Sequence, residues 1–295
     1  MRTSSPSEPN SCHKCILRTI VNKRIGRLAL APEISLEIPA SCYGLFSPLQ
    51  AKMLVNVTIP VFNEEKDLPR SIAALHAFLG KRARFEWEIV IANNASTDRT
   101  REIADDLSAK FSAVRATHLA QKGRGRALKQ VWLESRAEVL SYMDVDLSSN
   151  LFAFPPMIEA LICEGFDIGI GSRLLKASTT RRSLKREVIS RGYNWLVKAF
   201  FLTKFSDAQC GFKAITRSAA QKLLPRVEDT GWFFDTELLV IAEKTGFRIF
   251  DLPVSWTEDL DSRVKIVRTA VDDIKGLIRV RRSFNRGDYR EWVAR

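Results

Sequence analysis

Two aspartates that follow a predicted buried strand are the residues of this sequence best placed to do chemistry. The strand runs from Val139 to Met143 in apolar and β-compatible residues, and Asp144 and Asp146 come directly after it. Side chains two positions apart on an extended segment point to the same side, so both carboxylates can face one divalent cation and, through it, the phosphates of a substrate. The alternative interpretation is a strand end that carries two solvated aspartates.

Polar segments also follow the strands predicted earlier in the chain. Short hydrogen-bonding side chains in residues 60–65 and 93–98 suit a base edge and ribose hydroxyls. Lys122 and Arg124, beside Gly123 and Gly125, can bring cations and backbone amides close to phosphate, although the spacing is not that of a Walker A loop. A nucleotide-sugar enzyme must hold a base and ribose, neutralise a diphosphate leaving group and present C1 to a nucleophile, and each requirement has a candidate here. A metal bound by the two aspartates would stabilise the departing diphosphate.

Strands and helices alternate in the first half of the chain. The predicted strands are Val55–Val61, Glu86–Ala92, Ala113–Leu119 and Val139–Met143. The first helix between them is expected to begin at a cap formed by Asn63, and the second at one formed by Ser96 or Thr97. The apolar face of the first helix comprises Leu68, Ile72, Leu75 and Leu79. That of the second comprises Ile103 and Leu107, and that of the third comprises Leu128, Trp132 and Leu133. This alternation predicts a mostly parallel sheet whose polar loops gather at the carboxyl ends of the strands.

Two basic amphipathic helices are predicted in the second half. Residues 192–202 form an apolar and aromatic helix that follows the strongly basic segment 173–191. Residues 263–284 form another, with Ile266, Ala270, Ile274, Leu277 and Ile278 on its apolar side. Each helix either packs on the core or lies in a membrane interface with its cations toward the lipid phosphates, and the basic flanks favour the interface. Further strands are predicted at 167–171, 211–215 and 247–254, and a helix at 232–245.

The composition is that of a globular, basic protein. Of 295 residues, 45% are hydrophobic, and the formal net charge of +12 predicts attraction to nucleic acid, anionic lipid or phosphorylated small molecules without choosing among them. Five scattered cysteines favour a reducing, cytosolic setting, and Cys12 and Cys15 lack the second ligand pair of a zinc site. No apolar run reaches the roughly 20 residues that span a bilayer, and the N-terminus does not read as a signal peptide.

The same composition suggests three parts of the chain. Residues 1–52 are expected to be a poorly ordered extension, unless translation starts at Met53. Residues 53–284 form the predicted catalytic domain, and residues 285–295 form a tail.

Five motifs in register give the chain a family resemblance. They are PVFNEE, EIVIANNASTD, QKGRGRA, MDVDLS and IGSR. In this order they resemble inverting glycosyltransferases of the GT-A fold, the group that includes the dolichyl-phosphate sugar synthases. SLKREVISRGYNWLV resembles the acceptor region of the mannose synthases, whereas SDAQCGFKA, WFFDTELL and VSWTED resemble the dolichyl-phosphate β-glucosyltransferases more closely. The resemblance spans Val55 to Phe284 and implies an α/β, Rossmann-like GT-A fold with helices on both faces of the sheet and basic interface helices.

The resemblance also implies a role for individual residues. It assigns Pro60, Asn63, Glu64, Asn93, Ser96 and Lys122 to the nucleotide-sugar pocket. Asp144 and Asp146 are implied to hold Mg²⁺ or Mn²⁺, and Arg173, Arg186, Ser190 and Lys213 to bind the acceptor phosphate. Asp235 falls where many relatives have a general base. A phosphate acceptor is already ionised, however, so Asp235 either orients Lys213 or Arg173 or is only a carboxylate favoured by a helix N-terminus.

The expected activity is transfer of a hexose, with glucose favoured, from UDP-glucose or GDP-mannose to polyprenyl phosphate. The expected place is the cytoplasmic face of a membrane, with an integral partner possible and no nucleic acid bound. The alternatives are a mannose donor, a soluble glycan acceptor that makes Asp235 essential as a base, and a non-catalytic nucleotide-binding protein. The last is motivated by Asn93-Asn94-Ala95-Ser96, which stands where relatives have Asp-Asp-Gly-Ser and leaves open which base is bound.

Overall fold

The computed structural model describes residues 52–181, 183–257 and 266–289. The predicted N-terminal extension, apart from Lys52, lies outside these residues, as does most of the predicted tail. So do Cys12, Cys15 and the residues that follow Thr257 in the VSWTED motif.

A mostly parallel sheet forms the centre of the described part of the chain. Its strands are β1 (Leu54–Val61), β2 (Glu86–Asn94), β3 (Val114–Leu119), β4 (Val139–Met143), β5 (Ile168–Ser172), β7 (Phe212–Thr216) and β8 (Ile249–Pro253). They lie in the order β3-β2-β1-β4-β7-β5-β8, and β7 is antiparallel to both of its neighbours. The short strands β6 (Thr179–Arg181) and β9 (Ser255–Thr257) pair in parallel beside this sheet. The prediction of a mostly parallel central sheet is confirmed.

Helices cover both faces of the sheet. They are α1 (Leu68–Arg82), α2 (Thr100–Lys110), α3 (Arg124–Glu134), α4 (Phe154–Cys163), α5 (Leu184–Phe201), α6 (Arg217–Leu223), α7 (Phe234–Lys244) and α8 (Ile266–Arg286). One buried apolar cluster lies beneath α1, α2 and α4, and the other beneath the remaining helices. The two layers bury the strands on both sides, and β4 is buried along its whole length.

Two predicted helix caps are wrong, and the polar residues involved do something else. The cap positions are Asp67 for α1 and Arg99 for α2. Asn63 has a left-handed backbone (φ 57°), and its Oδ1 accepts from the Thr97 amide at 2.8 Å. The Ser96 Oγ accepts from the Asn63 amide at 3.0 Å. These side chains therefore join the loops after β1 and β2 to each other instead of starting helices.

The apolar faces of two helices also differ from prediction. Leu133 of α3 is exposed, and Val131 packs in the core in its place. On α8, Leu277 is buried, but Ile274 and Ile278 are exposed, and the buried face continues through Asp273 and Val280. Helix α8 therefore has two apolar faces, of which one packs on the domain.

Helix α5 begins at Leu184, so that Arg186 and Ser190 lie on the helix itself. Within the described residues, no helix combines the length and the apolar character needed to cross a membrane.

Candidate active site

Asp144 stands at the carboxyl end of β4, where the sheet opens into a cleft. Its amide donates to the Gly211 carbonyl at 3.1 Å, and its side chain is 42% exposed. A Cβ atom on Gly211 would lie 1.7 Å from the Asp144 Oδ2, so only glycine fits beside this carboxylate. Burial of the site raises the pKa of Asp144, and the charges of Asp146 and Asp235 add to this effect, whereas Arg124 opposes it.

Asp146 is reached through a turn and not through an extended segment. The Leu147 amide donates to the Asp144 carbonyl at 3.1 Å, and the Asp146 Oδ1 accepts from the Ser148 amide at 2.9 Å. Leu147 has a φ of 50°. The expectation that the two carboxylates share one side of a strand is therefore wrong in detail, because the chain leaves the sheet at Asp144. The two carboxylates are nevertheless close enough to influence each other electrostatically.

Arg124 lies across the cleft and binds Asp144. One guanidinium nitrogen donates to the Asp144 Oδ1 at 2.6 Å. The guanidinium stacks between two aromatic rings, 5.0 Å from the centroid of Tyr142 and 4.8 Å from that of Trp232. Sequence analysis placed Arg124 only in a phosphate-binding loop, since nothing in the spacing joins residues 20 positions apart.

Beneath these groups, Asp235, Tyr142 and Lys213 form a buried triad. The Tyr142 hydroxyl donates to the Asp235 Oδ1 at 2.5 Å, and the Lys213 Nζ lies 3.3 Å from the same oxygen. The Lys213 Nζ also donates to the Cys210 carbonyl at 2.5 Å. Burial, and next the charge of Asp235, raise the pKa of Tyr142 well above its ordinary value, so that the hydroxyl stays a donor. Lys213 and Asp235 are thus in contact with each other, and both are nearly closed off from solvent.

Arg173 is held by Asp207, a residue that the sequence did not single out. Two guanidinium nitrogens donate to the two Asp207 oxygens at 2.8 and 3.0 Å, and the Arg173 amide donates at 3.1 Å. Burial raises the pKa of Asp207, but Arg173 outweighs it and holds that pKa below its ordinary value. Asp144 is close enough to contribute to raising the pKa of Arg173. Two other predicted acceptor residues lie on α5: Arg186 is half-buried, and the buried Ser190 Oγ has no hydrogen-bond partner within the described part of the chain.

The predicted nucleotide residues gather at the ends of β1, β2 and β3. Pro60 is half-buried near the end of β1, and the Glu64 amide after it donates to the Thr100 Oγ1 at 2.8 Å. The Lys122 Nζ lies 3.2 Å from the centroid of the Phe62 ring. The loops that carry Asn63, Ser96 and Lys122 thus face the same edge of the sheet.

Asn93 belongs to a chain of side-chain hydrogen bonds that the sequence did not reveal. Its Oδ1 accepts from the Ser96 amide at 3.1 Å, which leaves its Nδ2 to donate to the His118 Nδ1 at 3.1 Å. The His118 Nε2 must then carry the proton that is shared with the Asp105 Oδ1 at 2.8 Å. The pairing of β2 with β3 places Asn93 opposite His118, so this contact depends on the strand register.

The carboxylates of the site suit a divalent cation that is partly bound by substrate. Among the described residues, no group of three or more His, Cys, Asp or Glu side chains could hold a metal by itself. Mg²⁺ and similar ions typically use one or two carboxylates and complete their coordination with water and substrate phosphates. Asp144 and Asp146 at a cleft match that pattern, so the residues present fit such an ion.

Known proteins share sequence with most of this chain. The model of the family described as glycosyl transferase family 2 matches residues 56–224. The glycosyltransferase AglD of Haloferax volcanii is 36% identical over 228 residues, which cover 76% of this chain but 35% of AglD, so the chain spans about a third of that relative. The dolichyl-phosphate beta-glucosyltransferase ALG5C of Trichomonas vaginalis is 31% identical over 242 residues, covering 77% of this chain and 71% of that protein.

Among solved structures, the fold is similar to glucosyl-3-phosphoglycerate synthase from Mycobacterium tuberculosis in complex with UDP. The TM-score is 0.60 at 17% identity, over 79% of this chain and 81% of that one. The same enzyme bound to Mn²⁺, UDP and glucosyl-3-phosphoglycerate gives a TM-score of 0.57 at 16% identity, over 77% of this chain and 81% of that one. At these identities the likeness concerns the fold alone.

Proposed function

Because the chain belongs to glycosyl transferase family 2 and is a glycosyltransferase with a GT-A fold, we propose that it transfers glucose from a nucleotide diphosphate sugar to a polyprenyl phosphate. Relatives such as ALG5C are dolichyl-phosphate beta-glucosyltransferases, which supports both the sugar and the lipid. The reaction is proposed to take place at the cytoplasmic face of a membrane and to invert the configuration at C1 of the glucose.

The main support for a lipid acceptor is that α5 has two different faces. On the inner face, the Tyr193 hydroxyl lies 2.7 Å from the Thr236 Oγ1, next to Asp235, and the Asn194 Oδ1 accepts from the Ala208 amide at 2.8 Å. The outer face is apolar yet exposed, with Val188, Gly192, Trp195, Ala199 and Leu202 repeating at helical spacing. Trp195 is 70% exposed and Leu202 is 81% exposed. One helix therefore joins the candidate active site to an uncovered apolar surface.

Helix α8 extends this apolar surface. It packs beside α5, because Arg281 donates to the Phe200 carbonyl at 3.2 Å and the Phe284 ring lies 6.1 Å from that of Phe201. Its own exposed apolar residues are Val271, Ile274 and Ile278. Exposed cations flank both stripes: Lys185, Arg191 and Lys198 on α5, and Lys275, Arg281 and Arg282 on α8. Apolar residues between cations suit an interface of acyl chains and lipid phosphates.

The acceptor phosphate is proposed to bind between α5 and the end of β5. Two of the three guanidinium nitrogens of Arg173 donate to Asp207. The third does not, so part of the guanidinium remains free of Asp207. The buried hydroxyl of Ser190 is a donor that a phosphate oxygen would satisfy. Arg186 lies one turn before Ser190 on the same helix and is proposed to complete the anion site.

On the donor side, the groups at the ends of β1, β2 and β3 are proposed to bind the nucleotide, and Asp144 and Asp146 to bind Mg²⁺ or Mn²⁺. Such a cation would neutralise charge on the diphosphate. The acceptor phosphate oxygen forms the new bond to C1 of the sugar, the bond from C1 to the nucleoside diphosphate breaks, and the electron pair leaves with the diphosphate. No proton has to be removed, since the acceptor is already ionised. Asp235 is therefore proposed to fix Tyr142 and Lys213 beneath the cleft.

Radiolabel transfer tests this proposal. UDP-glucose and, in parallel, GDP-mannose are supplied to the purified chain with dolichyl or undecaprenyl phosphate and Mn²⁺. The expected result is a lipid-soluble product from UDP-glucose that is lost in Asp146→Ala. The matched control is Asp106→Asn, which alters an exposed carboxylate on α2 and should keep at least half of the activity. A folded protein that binds UDP yet labels no lipid from either donor would overturn the proposal.

The apolar surface of α5 is tested separately with vesicles of phosphatidylcholine and phosphatidylglycerol. Replacing Trp195 by serine removes a large exposed ring, so the vesicle-bound fraction is expected to fall by about tenfold. Leu133→Ser changes an exposed apolar residue on α3 and should bind vesicles like the wild type. Equal binding by the two variants would contradict the assignment of this surface to lipid.

A further inference from the structure

Arg124 occupies the carboxylate that the proposed cation needs. Its guanidinium donates to the Asp144 Oδ1 at 2.6 Å, so a positive charge lies directly beside this carboxylate. The hydrogen bond uses one lone pair of Oδ1, and the positive charge of the guanidinium repels a divalent cation at the same carboxylate. Resting on the function proposed above, we propose that Arg124 is an internal counter-ion of Asp144, which moves from this carboxylate to the donor diphosphate when nucleotide and metal bind.

The backbone under Arg124 is fixed, so an exchange would involve the side chain only. The Gly125 amide donates to the Gly231 carbonyl at 3.2 Å, and the Arg126 amide donates to the Thr230 carbonyl at 3.1 Å. A Cβ atom on Gly123 would lie 2.6 Å from the Thr230 oxygen, and one on Gly125 would lie 2.6 Å from the Phe234 Cβ. These close approaches bind the start of α3 to the segment before α7.

The contact between Arg124 and Asp144 has the features of an ion pair in which each partner can bind a ligand instead. It is a single hydrogen bond, and Asp144 is open to the cleft. The Arg124 Nε is buried and has no hydrogen-bond partner among the described residues. The pair with Asp144 therefore leaves part of the hydrogen-bonding capacity of the guanidinium unused. Two phosphate groups would offer this fork more oxygens than one carboxylate does. The rings of Tyr142 and Trp232 hold the guanidinium plane at the cleft in either arrangement.

This arrangement couples the two ligands. Without nucleotide, a cation competes with Arg124 for Asp144 and binds weakly. With nucleotide, the diphosphate draws the guanidinium away, and Asp144 becomes free for the cation. Each ligand thus raises the affinity for the other, and the two effects must be equal in free energy.

Mn²⁺ binding measured by electron paramagnetic resonance, with and without UDP, tests the inference apart from activity. In Arg124→Gln, Mn²⁺ alone is expected to bind about tenfold more tightly than in the wild type, because the competing charge is gone. UDP in the presence of Mn²⁺ is expected to bind about tenfold more weakly, because the diphosphate has lost a cation. A purely structural role of Arg124 would weaken both affinities, so the opposite signs exclude that role.

Two further variants complete the experiment. Arg126→Gln changes a cation of the same loop that donates to Gln121 and not to Asp144, and it should leave both affinities unchanged. Arg124→Lys keeps the charge without the planar fork, so it should shift both affinities in the same directions as Arg124→Gln but by less, and it decides the matter if the glutamine variant does not fold. Unchanged or weaker binding of Mn²⁺ alone in a folded Arg124 variant overturns the inference. A wild type that binds no UDP, with or without Mn²⁺, overturns the proposed function as well.

Discussion

The two Arg–Asp pairs near the end of the sheet differ in the burial of their aspartates and in the number of hydrogen bonds they share. Arg173 and Asp207 share a two-pronged contact, with a third bond from the Arg173 amide, and the Asp207 side chain is 0% exposed. Arg124 and Asp144 share one bond at the mouth of the cleft. A buried ion that loses its partner is left without solvent, whereas a cleft ion can exchange its partner for a ligand. The first pair therefore supports the fold, and the second is available to substrate.

The largest effect on stability is expected from Asp207→Asn. The amide cannot accept the fork of Arg173 as the carboxylate does, so a buried guanidinium loses its counter-charge, and the free energy of unfolding should fall by about 4 kcal/mol. Urea denaturation monitored by tryptophan fluorescence measures this. Asp105→Asn, at an exposed carboxylate, serves as the control and should cost less than about 1 kcal/mol. A loss as small in Asp207→Asn would mean that the buried pair is not structural.

Asp144→Asn is expected to show the reverse pattern. The Asp144 side chain is 42% exposed and accepts one bond from Arg124, so a neutral amide of the same shape should change the free energy of unfolding by less than about 1 kcal/mol. Glucose transfer, in contrast, should fall by at least about a hundredfold, because a metal ligand is lost. Measuring both the rate of glucose transfer and the midpoint of urea denaturation separates the effect on catalysis from the effect on stability. A variant that is both active and strongly destabilised would assign Asp144 to the fold.

Much of this comparison lies beyond what the sequence could predict. Period and composition located β1 to β4 nearly to the residue and placed Asp144 at a strand end, because these features are local. The partners of Asp144 and Arg173 are not local: Arg124 is 20 positions from Asp144, and Asp207 is 34 positions from Arg173. The antiparallel insertion of β7 between β4 and β5 brings Lys213 beside Tyr142, and no pattern in the sequence signals that order of strands.

Lys213 itself carries a signal for a buried partner. It lies within an apolar run that predicts a strand, and a lysine at such a position requires a buried acceptor. This requirement favours contact with Asp235 over the other roles open to that carboxylate. The faces of α8 differ from prediction in the opposite way. Asp273 is an acidic residue that lies on the buried face, because a carboxylate that holds its proton can be buried.

Asp273 extends the comparison of Asp207 and Asp144 to a third case, a buried carboxylate that has no cationic partner among the described residues. The Gln209 Nε2 donates to it at 3.4 Å, and no Lys or Arg within the described residues forms an ion pair with it. Burial, with Asp229 and Asp272 as like charges, raises its pKa from 3.8 to about 7. The folded state thus holds a proton that the unfolded state has lost between these two pH values, so stability falls as pH rises through this window.

Asp273→Asn should remove that pH dependence. At pH 8 the variant is expected to be more stable than the wild type by about 2 kcal/mol, and near pH 4 the two should be equal. Urea denaturation at pH 4, 6 and 8 measures the difference. Asp106→Asn, an exposed carboxylate on α2, should follow the wild type to within about 0.5 kcal/mol. A gap between Asp273→Asn and the wild type that stays constant across the range would contradict the raised pKa.

The smallest effect is expected at a third Arg–Asp pair, which is open to solvent. Arg70 donates to Asp67 at 3.1 Å, and their side chains are 78% and 43% exposed. Water and salt screen this contact, and ordering two side chains costs conformational entropy, so Arg70→Gln should change the free energy of unfolding by less than about 0.5 kcal/mol. The bond length is similar to those of the Arg173 pair, so distance does not set the difference. If Arg70→Gln cost as much as Asp207→Asn in the same urea experiment, burial could not be what separates the structural pair from the exchangeable one.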